Sequence, residues 1–501
     1  MAKVAVIGGG LGGLAGAIRL AKMGYEVELF EKNDRLGGKM NQLSLGPYRF
    51  DTGPSLITMP FIIKELFEFA GFSHQDFIEF KSIEPVCRYF FPDGAEFNAY
   101  ADREKMQNEL RHFAPGELDA YDKFMAYAKR IYDVTTDVFV LDSVHEASRL
   151  LTRKTAAKLL KIGQIDAFRT VHQAVSSFFK DERLIQIFDR YPTYNGSDPF
   201  KAPATLNTIP HVEYVIGGYY IAGGLYRLVE ALEELAKKLN VSINLGTPVE
   251  KIVHQSNKIT GIRVNGKIRS VDAVLCNADV VEAFNTMIDG HDRARALLNS
   301  FEPSISGLVF FWGVKGRYDR LAHHNILFSE NYQHEFRQIF DDLTPPDDPT
   351  VYIAITSKAD PDHAPEHGEN WFVLVNMPYL HEKQDWTAAV KQTRQAVLKK
   401  LLQHGMDIQD NIEFEHVHTP EDFYELFGSN RGSIYGISSN DRNMAFRRPA
   451  NRYKKIKGLY FAGGSSHPGG GVPLVIQSGK IAAELIGENI SRKTDRINRI
   501  I

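Results

Sequence analysis

The sequence has 501 residues, 59 of them basic and 62 acidic, so its formal net charge is −3 and it presents no global field for nucleic acid. Only two cysteines, Cys87 and Cys276, are present, which excludes a disulfide scaffold and a cysteine metal site and favours a reducing cytoplasm. The strongest apolar run, residues 308–312, is far shorter than the roughly 20 residues that span a bilayer.

The first 31 residues predict a strand, a glycine turn, a helix and a second strand. Residues 4–7 and 27–30 are short apolar strands, and residues 14–23 have helical spacing. Between the first strand and the helix, residues 8–13 read GGGLGG and match the G-x-G-x-x-G fingerprint. A dinucleotide site requires the fingerprint at this place, after a strand and at the start of a helix.

Each position of this fingerprint has a physical role. Gly8 permits the tight turn, Gly10 lets a pyrophosphate approach the backbone, and Gly13 allows close packing of helix and strand. The N-terminus of the helix that follows offers free N–H donors to phosphates, and Leu11 is a further predicted cofactor residue. Glu31, at the end of the second strand, is placed to accept hydrogen bonds from ribose hydroxyls, and an acid there argues against the 2′-phosphate of NADP.

Further elements follow along the chain. The middle predicts a helix and then strands, at residues 225–239, 241–245, 259–264 and 273–276. Longer strands rich in β-branched residues are predicted at 308–314, 351–356 and 371–375. The end repeats the strand, glycine and helix order, at residues 458–462 and 475–486.

This order predicts an α/β fold with a Rossmann-type nucleotide-binding domain assembled from discontinuous segments. Residues 1–75, 211–289 and 426–501 form that domain. An inserted α+β substrate domain takes residues 76–210, which are rich in helical, charged and aromatic segments, and residues 290–425.

Residues 34–39 (DRLGGK) and 51–55 (DTGPS) follow the second strand. This pattern of an acid, Arg-x-Gly-Gly and a Gly-Pro turn resembles the FAD-dependent amine-oxidase-like superfamily. The resemblance implies FAD as the cofactor. It implies FAD contacts at Arg35, Gly38, Lys39, Ser55 and Leu56. Arg35 and Lys39 also have an alternative reading as ordinary surface cations.

A narrower resemblance is to the bacterial carotenoid (phytoene-type) desaturases. Residues 194–199, 219–226 and 271–279 match that family, and residues 458–473 resemble its Thr-His-Pro-Gly-x-Gly-Val-Pro signature. Ser466 stands where threonine is usual and keeps the hydroxyl. The likeness implies that Val249 reaches the adenine end through its backbone. It also implies FAD contacts at Asn277, Gly464, Gly471, Val472 and Pro473.

The resemblance implies removal of hydrogen from two carbons beside a conjugated polyene, with a hydride passing to flavin N5. The polyene delocalises the remaining charge, so a weak base is sufficient for the second hydrogen and no tuned acid–base pair is required. Arg169 is the candidate catalytic residue near the substrate, and its alternative is an ordinary helix cation. His467 is expected to shape the cofactor loop, and no spacing predicts a metal site.

A carotenoid substrate has to be collected from a membrane. Residues 149–162 carry five cations and no acid on an amphipathic helical pattern, which suits an anionic membrane surface. A solvated domain face explains the same pattern equally well. We therefore expect a cytoplasmic protein that is peripheral on the inner face of the cytoplasmic membrane.

Within the family, the form of residues 463–471 favours a 3,4-desaturase that acts on the acyclic end of a monocyclic (γ-carotenoid) or hydroxylated carotenoid. Oxygen or a quinone is the expected electron acceptor. Three alternatives are a phytoene- or lycopene-forming desaturase, a carotenoid isomerase of the same fold, and a non-enzymatic prenyl-binding escort protein. Retention of the glycines and of Glu31 argues against the escort protein.

Overall fold

The computed structural model describes residues 1–146, 149, 162–382 and 384–498. The strands, in chain order, are β1 (Lys3–Ile7), β2 (Glu26–Phe30), β3 (Gln42–Leu45), β4 (Tyr48–Asp51), β5 (Phe80–Ser82), β6 (Cys87–Phe90), β7 (Glu96–Ala99), β8 (Tyr219–Ile221), β9 (Ser242–Asn244), β10 (Val249–Gln255), β11 (Lys258–Val264), β12 (Lys267–Ser270), β13 (Ala273–Cys276), β14 (Ser306–Lys315), β15 (His324–Leu327), β16 (Val351–Ile355), β17 (Gly368–Met377), β18 (Ile412–His418) and β19 (Leu459–Phe461).

The α-helices, in chain order, are α1 (Leu11–Lys22), α2 (Pro60–Ala70), α3 (Arg103–Phe113), α4 (Leu118–Thr135), α5 (Val171–Val175), α6 (Glu182–Asp189), α7 (Thr208–His211), α8 (Arg227–Lys238), α9 (Val280–Glu282), α10 (Asp292–Asn299), α11 (Tyr332–Arg337), α12 (Trp386–Gln403), α13 (Pro420–Phe427), α14 (Met444–Arg447) and α15 (Val472–Asn498).

A five-stranded parallel sheet has the order β19-β13-β1-β2-β9. Its strands come from the beginning, the middle and the end of the chain, which confirms an α/β nucleotide-binding fold assembled from discontinuous segments. Alternate residues of the central strands enter two different cores, so both faces of the sheet are covered. Helix α1 packs against α8 and α15 on one of these faces.

Helix α1 begins three residues earlier than the apolar spacing predicts. Gly10, in an extended conformation, is its N-cap, and the glycines that follow form the first turn. A Cβ atom at Gly13 would lie only 2.1 Å from the Gly8 carbonyl oxygen. The close packing predicted for Gly13 is therefore what the backbone shows.

The second large sheet has the order β18-β14-β17-β16-β15-β6-β7. Strand β14 is buried at every position except its last, Lys315. The prediction of a mainly helical stretch at 76–210 missed the hairpin β6–β7, which joins this sheet through a parallel pairing with β15. The hairpin strands are only four residues long, so their alternation is too short to stand out within a helical stretch.

Most of the basic segment 149–162 lies outside the described residues. Its first cation, Arg149, is described and is only 15% exposed. The guanidinium forms ion pairs with Asp142, Glu484 and Glu488, at 2.9, 2.9 and 2.6 Å. One of the five cations therefore serves the protein's own packing and is not free for a membrane surface. Within the described ranges, no helix has both the length and the apolarity to cross a bilayer.

Candidate functional site

A cavity of about 1050 Å³ lies between the parallel sheet and the second large sheet. It exceeds the range of about 300–1,000 Å³ that is common for small-molecule sites, so it has room for an extended ligand. Fourteen of the sixteen predicted cofactor residues line it, namely Gly8, Gly10, Leu11, Gly38, Glu31, Lys39, Ser55, Leu56, Val249, Asn277, Gly464, Gly471, Val472 and Pro473.

The glycine turn after β1 leaves its backbone open to the cavity. Gly8 has φ +93°, a conformation that favours glycine, and a Cβ at Gly10 would lie 2.9 Å from Asn277 Nδ2. No side chain caps the N-terminus of α1. The uncapped N–H groups and the missing Cβ atoms together form a cradle that fits the diphosphate of FAD.

The Glu31 carboxylate is buried at the end of β2. It accepts hydrogen bonds from the backbone N–H of Gly9, at 2.7 Å, and of Asn33, at 2.9 Å. A carboxylate has about four acceptor positions, so two are left for donors in the cavity that it lines. This arrangement fits the ribose hydroxyls of FAD.

Lys39 lies in the cavity wall after the glycine pair at 37–38. Its ammonium donates to the carbonyl oxygens of Ser433 and Ile434, at 3.1 and 2.6 Å. Burial lowers the pKa of Lys39 to about 8, although the nearby Asp279 carboxylate opposes that shift. Lys39 therefore ties the loop after β2 to residues 433–434, far along the chain, and keeps a cation beside the cradle.

Two predicted cofactor residues, Arg35 and Gly13, do not line the cavity. The Arg35 guanidinium is about half exposed and lies 3.5 Å from the Asp34 carboxylate, as an ordinary surface cation does. Gly13 acts behind the cradle, where α1 packs on the turn.

Arg169, the predicted catalytic residue, also lies outside the cavity wall. Its Nε is 3.0 Å from Asp166 Oδ2, its Nη1 is 3.0 Å from Ser177 Oγ, and its side chain is 42% exposed. This placement favours the alternative reading of Arg169 as an ordinary paired cation.

Beyond the nucleotide end, the cavity wall is largely apolar. Its hydrophobic residues include Val86, Ile165, Leu206, Ile209, Val212, Ile326, Phe372 and Leu374. Among the polar residues of the wall are members of two buried networks, one centred on Arg190 and the other on Tyr352. Neither network was predicted from the sequence.

In the first network, the Arg190 guanidinium lies 2.6 Å from the Glu213 carboxylate, and both are almost fully buried. Tyr191 and Tyr194 donate to the same carboxylate. Burial alone would lower the pKa of Arg190, but Glu213 outweighs that effect and raises it well above its usual value. Arg190 and Tyr194 are the members of this network that line the cavity.

In the second network, the Tyr352 hydroxyl lies 2.5 Å from Ser55 Oγ and 2.8 Å from His324 Nδ1. Burial holds the pKa of His324 well below its usual value, so its imidazole is neutral. All three residues line the cavity. They offer hydroxyl and imidazole groups, and no formal charge, beside the apolar wall.

His467 has the loop-shaping position that the sequence analysis favours. Its Nε2 lies 2.8 Å from the Asp142 carbonyl oxygen, and burial lowers its pKa to about 4. Pro468 and the glycines after it line the cavity, whereas His467 does not. In the part of the chain that the structure describes, no group of three His, Cys, Asp or Glu side chains could hold a metal ion.

A family model described as flavin containing amine oxidoreductase matches residues 11–487. A 1-hydroxycarotenoid 3,4-desaturase from Flavobacterium sp. is 39% identical over 487 residues, which cover 97% of this chain and 99% of that protein. A 4,4'-diapolycopene oxygenase from Methylomonas sp is 36% identical over 97% of this chain and 98% of that protein. Among solved structures, the cyclohexylamine oxidase of Brevibacterium oxydans has a TM-score of 0.62 at 16% identity and covers 98% of this chain and 99% of its own.

The substitution Glu31→Gln tests the cradle. A glutamine amide cannot accept from both Gly9 and Asn33, and it lacks the charge that strengthens a bond to a ribose hydroxyl. Hydrogen bonds to charged groups contribute about 1.5–3 kcal/mol, so we expect a fall of about tenfold to a hundredfold in FAD affinity. Titration of the apoprotein of each variant with FAD measures this affinity.

The matched control is Glu26→Gln, a change on the same strand at a side chain that is 46% exposed and paired with Lys3. It should leave FAD affinity unchanged. Equal affinities for the two variants would contradict the placement of the ribose at Glu31.

Proposed function

The chain belongs to the family of flavin-containing amine oxidoreductases, and we propose that within this family it is an FAD-dependent carotenoid desaturase. Family membership makes it an FAD-dependent oxidoreductase. The observation that carries the proposal is the 39% identity, over nearly the full length of both chains, to a 1-hydroxycarotenoid 3,4-desaturase.

The form of the cavity supports a hydrocarbon substrate. A single cavity runs from the glycine cradle and Glu31 to a wall of aliphatic and aromatic side chains. A polyene gains by burying its apolar surface there. The chain's contribution to the reaction is therefore to bind, align and desolvate the substrate.

Bound FAD supplies a two-electron oxidant that accepts a hydride. In the proposed reaction, one carbon beside the polyene loses a hydride and its neighbour loses a proton, and the electron pair left by that proton forms the new C=C bond. Solvent or a weak base takes the proton. The two electrons pass on to oxygen or a quinone.

The proposed bond is C3–C4 at the acyclic end of a hydroxylated or monocyclic carotenoid. The polar network of Arg190, Tyr194 and Glu213 supports the hydroxylated end, because it brings hydrogen-bonding groups to a largely apolar wall. A terminal hydroxyl can use such groups, whereas a pure hydrocarbon end cannot.

A second candidate function is oxygenation of a carotenoid end. It is favoured by the 36% identity to a protein named 4,4'-diapolycopene oxygenase. The two functions differ in the product, since desaturation removes two hydrogens and oxygenation adds oxygen.

Expression in bacteria that make phytoene, lycopene, γ-carotene or a 1-hydroxylated carotenoid separates these functions. We expect the hydroxylated or γ-carotene background to give a pigment lighter by two hydrogens, with a longer conjugated system, as read by mass and absorption spectra. Gly10→Val is the matched control, because its side chain would meet Asn277 in the cradle.

A new pigment in the phytoene background and in none of the others would indicate a phytoene-type desaturase. A gain of oxygen would support the oxygenase, and an unchanged mass with altered double-bond geometry would support an isomerase. Unchanged pigments in every background would contradict the proposal and favour a non-enzymatic escort protein.

Delivery of the substrate from a membrane is part of the proposal. Phe446 lines the cavity and is 56% exposed, and Phe168, next to the lining residue Ala167, is 87% exposed. Exposed aromatic side chains at a cavity rim can enter the interfacial region of a bilayer. The basic segment 150–162 would add attraction to anionic lipids on the cytoplasmic face.

Reversal of three charges, by Lys154→Glu, Lys158→Glu and Lys161→Glu, tests this attachment. We expect binding to anionic vesicles to fall at least tenfold and to lose its dependence on salt, since each basic residue near such a surface contributes about 1 kcal/mol. The control reverses Lys391 and Lys399, which are exposed on α12. Salt-sensitive binding that persists in the triple variant would contradict a role for the basic segment.

A further inference from the structure

Arg448 is a buried cation without a counter-charge. Its side chain is almost fully buried, and its one side-chain hydrogen bond in the described structure joins Nη2 to Ser439 Oγ, at 3.2 Å. Nη1 has no hydrogen-bond partner in the described part of the chain. Burial lowers the pKa of Arg448 to about 10, so the guanidinium is still charged at neutral pH.

No carboxylate from the described residues forms an ion pair with this guanidinium. The internal stretch outside the description, 147–148 and 150–161, contains no acidic residue in its sequence. Arg190, the other buried arginine of the cavity wall, is paired with Glu213. A buried charge without a partner is costly, so Arg448 indicates that a ligand supplies negative charge beside it.

The place of Arg448 in the cavity limits which ligand group this is. Arg448 lines the cavity, and a Cβ atom added to Gly469 would lie 3.5 Å from its Cζ. Its neighbours Ser439, Met444 and Gly469 are not residues of the diphosphate cradle, which is formed by the turn after β1 and by Asn277. The carotenoid carries no charge. The remaining part of FAD that can acquire negative charge is its ring system, which does so on reduction.

We propose that Arg448 faces the redox-active ring of bound FAD and supplies the positive charge that stabilises the ring after it has been reduced. Transfer of a hydride brings two electrons and one proton, so it adds one negative charge to a neutral ring. Because Arg448 is buried, its positive charge beside the reduced ring is weakly screened by water, so it lowers the energy of the reduced state and raises the reduction potential of the flavin.

The surroundings of Arg448 are consistent with this role. His467 lies on the same loop as Gly469, and burial, together with His145 and Arg448, keeps its pKa low and its imidazole neutral. The cation at this end of the loop is therefore Arg448 itself. Ser439, held by Asn195 and Arg448, fixes the direction of the guanidinium.

The inference rests on the FAD-dependent oxidation of the proposed function and not on the identity of the carotenoid. Its test is the midpoint potential of the flavin in purified holoprotein, measured by equilibration with a redox dye in the absence of any carotenoid. Arg448→Met should shift the reduction equilibrium at least tenfold towards the oxidised flavin, or about 30 mV for a two-electron couple. Arg448→Lys keeps the charge and should restore most of the potential.

FAD affinity, measured on the same variants, identifies the group that Arg448 faces. We expect Arg448→Met to bind FAD within about threefold of the native protein. A large loss of affinity with an unchanged potential would place Arg448 at the diphosphate and overturn the proposal. An unchanged potential and an unchanged affinity would overturn it as well.

The matched control is Arg442→Met, which removes an exposed cation from the same cavity wall and should leave the potential unchanged. If Arg448→Met does not fold, Arg448→Gln removes the charge while keeping a donor for Ser439, and the same shift is expected. Because no carotenoid is present, a failed desaturation assay would leave this result intact.

Discussion

The structure depends on the close approach of three distant chain segments around Asn277. Gly8 and Gly13 come from the first segment and Gly463 from the last, and each lies so near Asn277 that an added Cβ would be within 3.4 Å of it. Strands β13 and β19 pair in parallel beside β1 because backbone, and not side chains, fills this junction. The absence of side chains also leaves the N–H groups at the start of α1 open to a diphosphate.

Charge is distributed unequally along the cavity that opens from this junction. At the nucleotide end, Glu31 is held by backbone N–H groups, and Lys39 is held by backbone carbonyls. In the apolar part, Arg190 and Glu213 neutralise each other. Arg448 alone among these charged residues lacks a compensating contact, which is why it points to a group that arrives with the cofactor.

Much of the nucleotide end could be predicted from the sequence, because its determinants are local. The glycine fingerprint, the strand before it and Glu31 lie within 31 residues, and each glycine performs a task that no larger residue can. Arg35 belongs to an equally recognisable motif but points to solvent beside Asp34. A motif fixes the course of the backbone more reliably than the direction of a long, flexible side chain.

The polar networks of the substrate end could not be predicted, because their members meet only after folding. Arg190 and Glu213 are 23 positions apart and lie on different elements, and Tyr352 joins Ser55 across 297 positions. Arg169 was the catalytic candidate from the sequence, yet its guanidinium forms an ion pair with Asp166, only three residues away. The hairpin β6–β7 was missed because its strands are only four residues long, and the partner that joins them to a sheet, β15, lies far along the chain.

The central claim is that FAD in this cavity oxidises a carotenoid directly. Anaerobic mixing of the FAD-loaded protein with a 1-hydroxylated carotenoid tests it most directly, with the flavin and polyene absorption followed together. The account predicts that flavin absorption is lost as the longer polyene forms, one flavin reduced for each double bond made. Product formation without loss of flavin absorption, or only when oxygen is admitted and incorporated, would contradict it.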